Sequence, residues 1–131
     1  MVSILIVEDD PVVRKTMADI LWSAGYRDIA LAPDGVIGLE MMRACPRRLV
    51  VLLDVMMPRK SGFEVLADVM DDDGLASRHV FVIVTAGAGF LLPAYAVERT
   101  AALNVAIPML VKPFRRAELL QAIAGAEQRM A

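Results

Sequence analysis

Short apolar runs alternate along this chain with longer amphipathic segments, and that alternation restricts the fold more than any other feature. The runs are 2–7 (VSILIV), 29–32 (IALA), 49–53 (LVVLL), 80–84 (VFVIV) and 107–111 (IPMLV). They are rich in β-branched residues and too short for helices, which makes them strands. The runs 49–53 and 80–84 consist only of Val, Leu, Ile and Phe, as suits strands covered on both faces.

The intervening segments read as helices. Val13, Met17, Ile20, Leu21 and Ala24 form a helical stripe, with Asp10 as N-cap, Pro11 at the first helical position and Gly25 beyond the end. Asp34-Gly35 is a turn before a helix over 36–44, which Pro46 stops. A third helix covers 63–70 and is closed by an acidic turn at 71–74. Helices over 91–103 and 115–130 complete the pattern, the last with Leu119, Leu120, Ile123 and Ala124 on one face. Five strand–helix units in succession imply an α/β fold with a parallel sheet and right-handed crossovers, giving a three-layer sandwich.

Composition agrees with a single domain over 1–131. A chain of 131 residues, 57% hydrophobic with a mean hydropathy of +0.54, has enough apolar mass for a core and too much for disorder. Residues 80–97 carry no charge, yet Gly87, Gly89 and Pro93 interrupt them, so a strand, turn and helix fit better than a membrane span. The net charge of −2 leaves no basic footprint for nucleic acid or an anionic membrane surface. Cys45 is the single cysteine, which excludes disulfides and a Cys-rich zinc site and suits a reducing cytoplasm. No positively charged n-region of a signal peptide precedes the first acids.

Parallel α/β sheets bind ligands beyond the carboxyl ends of their strands. The first strand ends in Glu8-Asp9-Asp10, the third in Asp54, the fourth in Thr85 and the fifth in Lys112. Carboxylates, a hydroxyl and an ammonium therefore converge on one edge. Two carboxylates about 4 Å apart repel by about 1 kcal/mol in water and about 4 kcal/mol at an effective dielectric of 20. A hard divalent cation with oxygen ligands relieves this, and Mg²⁺ suits a partly hydrated site. A carboxylate beside such a cation and a lysine can act as a nucleophile toward a phosphoryl group. Asp10, preceding Pro11, reads first as a helix cap, whereas Asp54 at the end of an apolar strand has little structural motive.

With these residues placed, the chain resembles the receiver domains of two-component response regulators, of the stand-alone chemotaxis type. The matching segments are ILIVEDDPVVR at 4–14, LVVLLDVMMPRKSGFEVL at 49–66, VFVIVTA at 80–86 and LVKPF at 110–114, with Asp34-Gly35 between them. The resemblance implies a flavodoxin-like fold with strand order 2-1-3-4-5. It implies that Asp54 accepts a phosphoryl group, that Glu8, Asp9, Asp54 and the Met56 backbone carbonyl hold Mg²⁺, and that Thr85 and Lys112 meet the phosphoryl oxygens. Ala86 is small where a donor approaches, and Lys112-Pro113 corresponds to a bond that is cis in the family. The domain then catalyses only its own phosphorylation and dephosphorylation. The expected partners are a sensor histidine kinase or phosphotransfer protein and a downstream protein target, with no direct nucleic-acid or membrane contact. A homodimer through the helix at 91–103 and the fifth strand is a further possibility the family suggests. No output domain follows, so the chain acts through protein contacts or as a phosphate shuttle, or is a receiver cut from a larger protein.

Some positions depart from the family pattern. Met109 stands where receivers carry an aromatic three residues before the lysine, and Pro108 precedes it on an edge strand. The stretch between Thr85 and Lys112 is long and apolar, with Glu98 and Arg99 its only charges. Phe90, Leu91, Leu92 and Tyr95 are candidate partner-binding residues there, weighed against burial in an extended loop. Trp22 lies nearly opposite the apolar stripe of its helix, where it is either a docking anchor or covered by the last helix. His79 is read as facing solvent and Cys45 as unreactive. Met56 and Met57 read first as loop and core packing, with the Met56 side chain, two residues after Asp54, also a candidate to impede an attacking water. Two rival functions remain in view. One is a receiver-like binding module that works without phosphate. The other is a metal-dependent phosphohydrolase, which lacks an evident general acid because Met56 stands two residues after Asp54.

Overall fold

A computed structural model describes residues 2–57, 59–86 and 107–130. In chain order the elements are β1 (Ser3–Val7), α1 (Pro11–Ser23), β2 (Asp28–Ala32), α2 (Gly35–Ala44), β3 (Leu49–Asp54), α3 (Gly62–Met70), α4 (Asp73–Arg78), β4 (Val80–Thr85), β5 (Met109–Val111) and α5 (Arg116–Met130). All strands are parallel, in the order β2-β1-β3-β4-β5. Ser3 stands opposite both Asp28 and Leu49, so β1 is flanked by β2 and β3.

Alternation along the strands divides the core in two. Leu5, Val7, Val51, Leu53, Phe81 and Ile83 point to the side of α2, α3 and α4. Ile4, Ile6, Val50, Leu52, Val82 and Val84 point to the side of α1 and α5. Strands β1, β3 and β4 are buried along their whole length, which is why their sequences are apolar on both faces. Burying a Leu or Ile side chain stabilises by about 1.5–3 kcal/mol, so these strands carry much of the folding energy.

Local sequence sets the helix starts. Asp10 accepts hydrogen bonds from the Val12 amide at 2.8 Å and the Val13 amide at 3.3 Å, ahead of Pro11. Asp34 caps α2 through the Ile37 amide, and Ser61 and Glu64 form a capping box on α3.

Three expectations are corrected. The acids at 71–74 are not merely a turn: Asp72 accepts from the Gly74 and Leu75 amides and starts α4, whose Leu75 and Ala76 enter the core. His79 does not face solvent; it is 3% exposed. Its Nδ1 accepts the Leu49 amide at 3.0 Å and its Nε2 lies 3.0 Å from the Met42 carbonyl, so a neutral imidazole joins the ends of α2, β3 and β4. The fifth strand is shorter than 107–111, because Pro108 has no N–H to give; its carbonyl still accepts from the Ile83 amide at 2.9 Å. The expected helix at 91–103 lies outside the described residues. Among the described residues no helix is long and apolar enough to cross a membrane.

Candidate functional site

The sheet order reverses between β1 and β3, and a crevice opens beyond their carboxyl ends. Glu8, immediately after β1, is fully buried, and its amide donates to the Ala32 carbonyl at 3.1 Å, extending the ladder past the strand. Asp9 is half-buried beside it. Arg14, one turn into α1, donates to the carbonyls of Glu8 at 2.8 Å and Asp9 at 3.5 Å and so fixes this turn. Asp54 ends β3 with only 3% of its surface exposed, and its Oδ1 accepts the Met56 amide at 3.1 Å. Thr85 ends β4, equally buried, and its carbonyl accepts the Lys112 amide at 2.7 Å. That bond fixes the start of the turn after β5, where Lys112-Pro113 is cis, as the resemblance implies. The lysine reaches in over the acids: Nζ lies 2.5 Å from Glu8 Oε1 and 3.5 Å from Asp54 Oδ2.

Three carboxylates thus share one ammonium. Glu8, Asp9 and Asp54 each offer an oxygen within 4.8 Å of the others, while Asp10 is turned away into its cap. Burial pushes the Glu8 carboxyl above the usual carboxylate range, and Asp54 beside it adds to this; Lys112 only partly opposes it. Asp9 is also raised, by its own partial burial and then by Glu8. Burial works against the Lys112 ammonium, but Glu8 and Asp54 together more than offset it, and its pKa is raised.

The donor set fits a divalent cation. It is all oxygen, as hard ions require. Glu8 Oε2 is buried and has no hydrogen-bond partner among the described residues, a costly state that a cation in the cluster removes.

Two contributors escaped the sequence reading. Gly62 passes so close to β3 that a Cβ there would sit 2.3 Å from the Asp54 carbonyl oxygen and 2.6 Å from Val55 Cα. Its amide donates to the Val55 carbonyl at 3.1 Å, which fixes the loop behind Asp54. The Ser-Gly pair at the head of α3 was the available signal. Arg14 is the second, since nothing in a helical pattern reveals a bond back to the preceding strand end.

The remaining candidates do not join the cluster. Trp22 is 54% exposed and is not covered by α5; the Arg27 guanidinium stacks over its ring, 4.2 Å from the centroid. Met109 is 45% exposed on β5. Cys45 lies at the opposite edge of the sheet, half-buried. Phe90, Leu91, Leu92 and Tyr95 lie outside the described residues. Beside Lys112 a cavity of about 490 Å³ opens between α1 and the turn after β5, walled by Val12, Thr16, Ile20, Pro113 and Phe114.

Comparison with known proteins agrees with this architecture. The sequence profile described as "Response regulator receiver domain" matches residues 4–124. Chemotaxis protein CheY of Treponema pallidum is 33% identical over 123 residues, covering 93% of this chain and 80% of that protein. Response regulator RR06 of Streptococcus pneumoniae is 43% identical over 67 residues, covering 51% of this chain and 30% of that longer protein. The receiver domain of a Pseudomonas aeruginosa sensor histidine kinase, solved with a magnesium ion coordinated in its active-site cleft, superposes with a TM-score of 0.71 at 26% identity, covering 94% of each chain. A profile matched over nearly the whole chain, with a relative 33% identical over most of both lengths, places this protein among the response regulator receiver domains of two-component signalling.

Proposed function

We propose that this domain accepts a phosphoryl group on Asp54 from a histidine kinase or phosphotransfer protein. The observation that carries the reading is the buried Glu8–Asp9–Asp54 cluster with Lys112 bridging Glu8 and Asp54. Asp54 Oδ1 is occupied by the Met56 amide, so Oδ2, facing Lys112, is the oxygen presented to phosphorus. Attack by Oδ2 forms a P–O bond as the donor's P–N bond breaks, and the departing imidazole keeps the bonding pair and takes a proton. Lys112 and the Thr85 hydroxyl bind the transferred oxygens. Glu8, Asp9, Asp54 and the Met56 carbonyl would hold Mg²⁺, which would supply charge neutralisation for the phosphoryl oxygens. The apolar cavity beside Lys112 receives side chains of the donor protein, and phosphorylation shifts a two-state equilibrium that a downstream protein reads.

Intact-mass measurement after incubation with a small phosphodonor tests this. One Mg²⁺-dependent phosphoryl adduct, absent from Asp54→Ala, is the expected result. Exposed Met109 at the usual aromatic position favours a second reading, a binding module that works without phosphate. A folded, Mg²⁺-binding protein that forms no adduct supports that alternative.

A further inference from the structure

We propose that Met56 is a site of reversible oxidation by peroxide, and that its sulfoxide shortens the life of the phosphoryl group on Asp54. The inference rests on the phosphoacceptor reading above.

The sequence holds nine methionines. Most of those described are shielded: Met17, Met42, Met57 and Met70 are at most 9% exposed, and Met41 and Met130 are half-buried. Met109 reaches 45%, and Met56 stands apart at 69%. Peroxide oxidation of thioethers follows exposure, so Met56 is the first target among the described methionines.

Its position gives the modification a consequence. The Met56 amide is bonded to Asp54 Oδ1 at 3.1 Å, so the side chain departs from the rim of the acid pocket. A thioether there is an apolar obstacle to a water approaching the acyl phosphate. Oxidation makes the same side chain polar and hydrogen-bonding, which draws water toward Asp54. The step is balanced: the sulfur lone pair attacks one peroxide oxygen, the O–O bond breaks, an S–O bond forms and water leaves. Sulfur is oxidised by two electrons and peroxide is reduced by two. A sulfoxide reductase restores the thioether.

The test treats the whole chain with low millimolar hydrogen peroxide and locates oxygen by peptide mass spectrometry. Treated and untreated samples are then phosphorylated with a small donor, and loss of the adduct is followed by intact mass. Met56 should oxidise before the other methionines, and oxidation should shorten the adduct's half-life by about threefold or more. Reductase treatment should restore it. In Met56→Leu the adduct's half-life, whatever its untreated value, should not respond to peroxide. Slow oxidation at Met56, or an equal half-life in both samples, overturns the inference alone. Equal sensitivity in Met56→Leu moves the effect to another residue and overturns it too. An untreated protein that forms no adduct overturns the phosphoacceptor reading and this inference with it.

Discussion

Lys112 sits closer to Glu8 than to Asp54, with Nζ 2.5 Å from Glu8 Oε1 and 3.5 Å from Asp54 Oδ2. The lysine is therefore engaged by a carboxylate that is itself a proposed cation ligand. A cation and this ammonium would compete for the same buried charge. Were Glu8 to turn to a cation, Lys112 would be freed toward Asp54, where a phosphoryl group would arrive.

Replacing Lys112→Met tests that competition. Without the ammonium, Mg²⁺ should bind about tenfold more tightly, a change of ~1.4 kcal/mol and well below the bare Coulomb term at this range. Phosphorylation by a small donor should nevertheless slow, because the transferred oxygens lose their counter-charge. A calorimetric titration with Mg²⁺ and a mass-based phosphorylation time course separate the two effects. Unchanged Mg²⁺ affinity would count against the competition.

Gly62→Ala should unfold more easily and disturb the site at once. The new Cβ would meet the Asp54 carbonyl oxygen at 2.3 Å and Val55 Cα at 2.6 Å, both backbone atoms that cannot swing aside. We expect a loss of about 2–4 kcal/mol, or about 10 °C in Tm, from strain of this kind. Scanning calorimetry reads the stability. Gly125→Ala, whose Cβ meets nothing within 4 Å, is the control and should be neutral or stabilising.

Asp10→Ala separates capping from cation binding. Loss of the bonds to the Val12 and Val13 amides should cost about 1 kcal/mol. Mg²⁺ affinity should move by less than about threefold, because Asp10 stands outside the Glu8–Asp9–Asp54 cluster. Asp9→Ala should show the reverse pattern. Urea unfolding and Mg²⁺ titration of both variants check the contrast.

The sheet was legible in the sequence because its central strands β1, β3 and β4 are buried on both faces and so read as almost wholly apolar runs. The site was legible for the same reason: Asp54 and Thr85 interrupt such runs where a parallel sheet presents its ligands. Boundaries and polar partners were less so. Nothing in a one-dimensional pattern shows that Arg14 reaches back to the Glu8 carbonyl, since the bond depends on the direction of the β1–α1 turn. Helix α4 was hidden because three consecutive acids read as a turn, although Asp72 in fact caps it. His79 was misread because its burial comes from two backbone partners, Leu49 and Met42, far away in sequence.

That buried imidazole makes stability depend on pH. Burial, reinforced by Arg78 and Arg48, lowers the His79 pKa from its ordinary value of 6.5, and the Met42 carbonyl opposes this only in part. Protonation would cost the lone pair that accepts the Leu49 amide. The unfolded chain takes up a proton near pH 6.5, whereas the folded chain does so only at lower pH. Between those values the unfolded state binds more protons, so stability is lost as pH falls through that window and is unaffected by this group above it. One proton gives a slope of at most about 1.4 kcal/mol per pH unit, so the loss from pH 7 to 5.5 should be about 1 kcal/mol. Urea unfolding at both pH values in wild type and His79→Gln measures it. The variant should be less stable at pH 7 and show a flatter pH dependence; a slope equal to that of wild type would assign the acid sensitivity to the carboxylates instead.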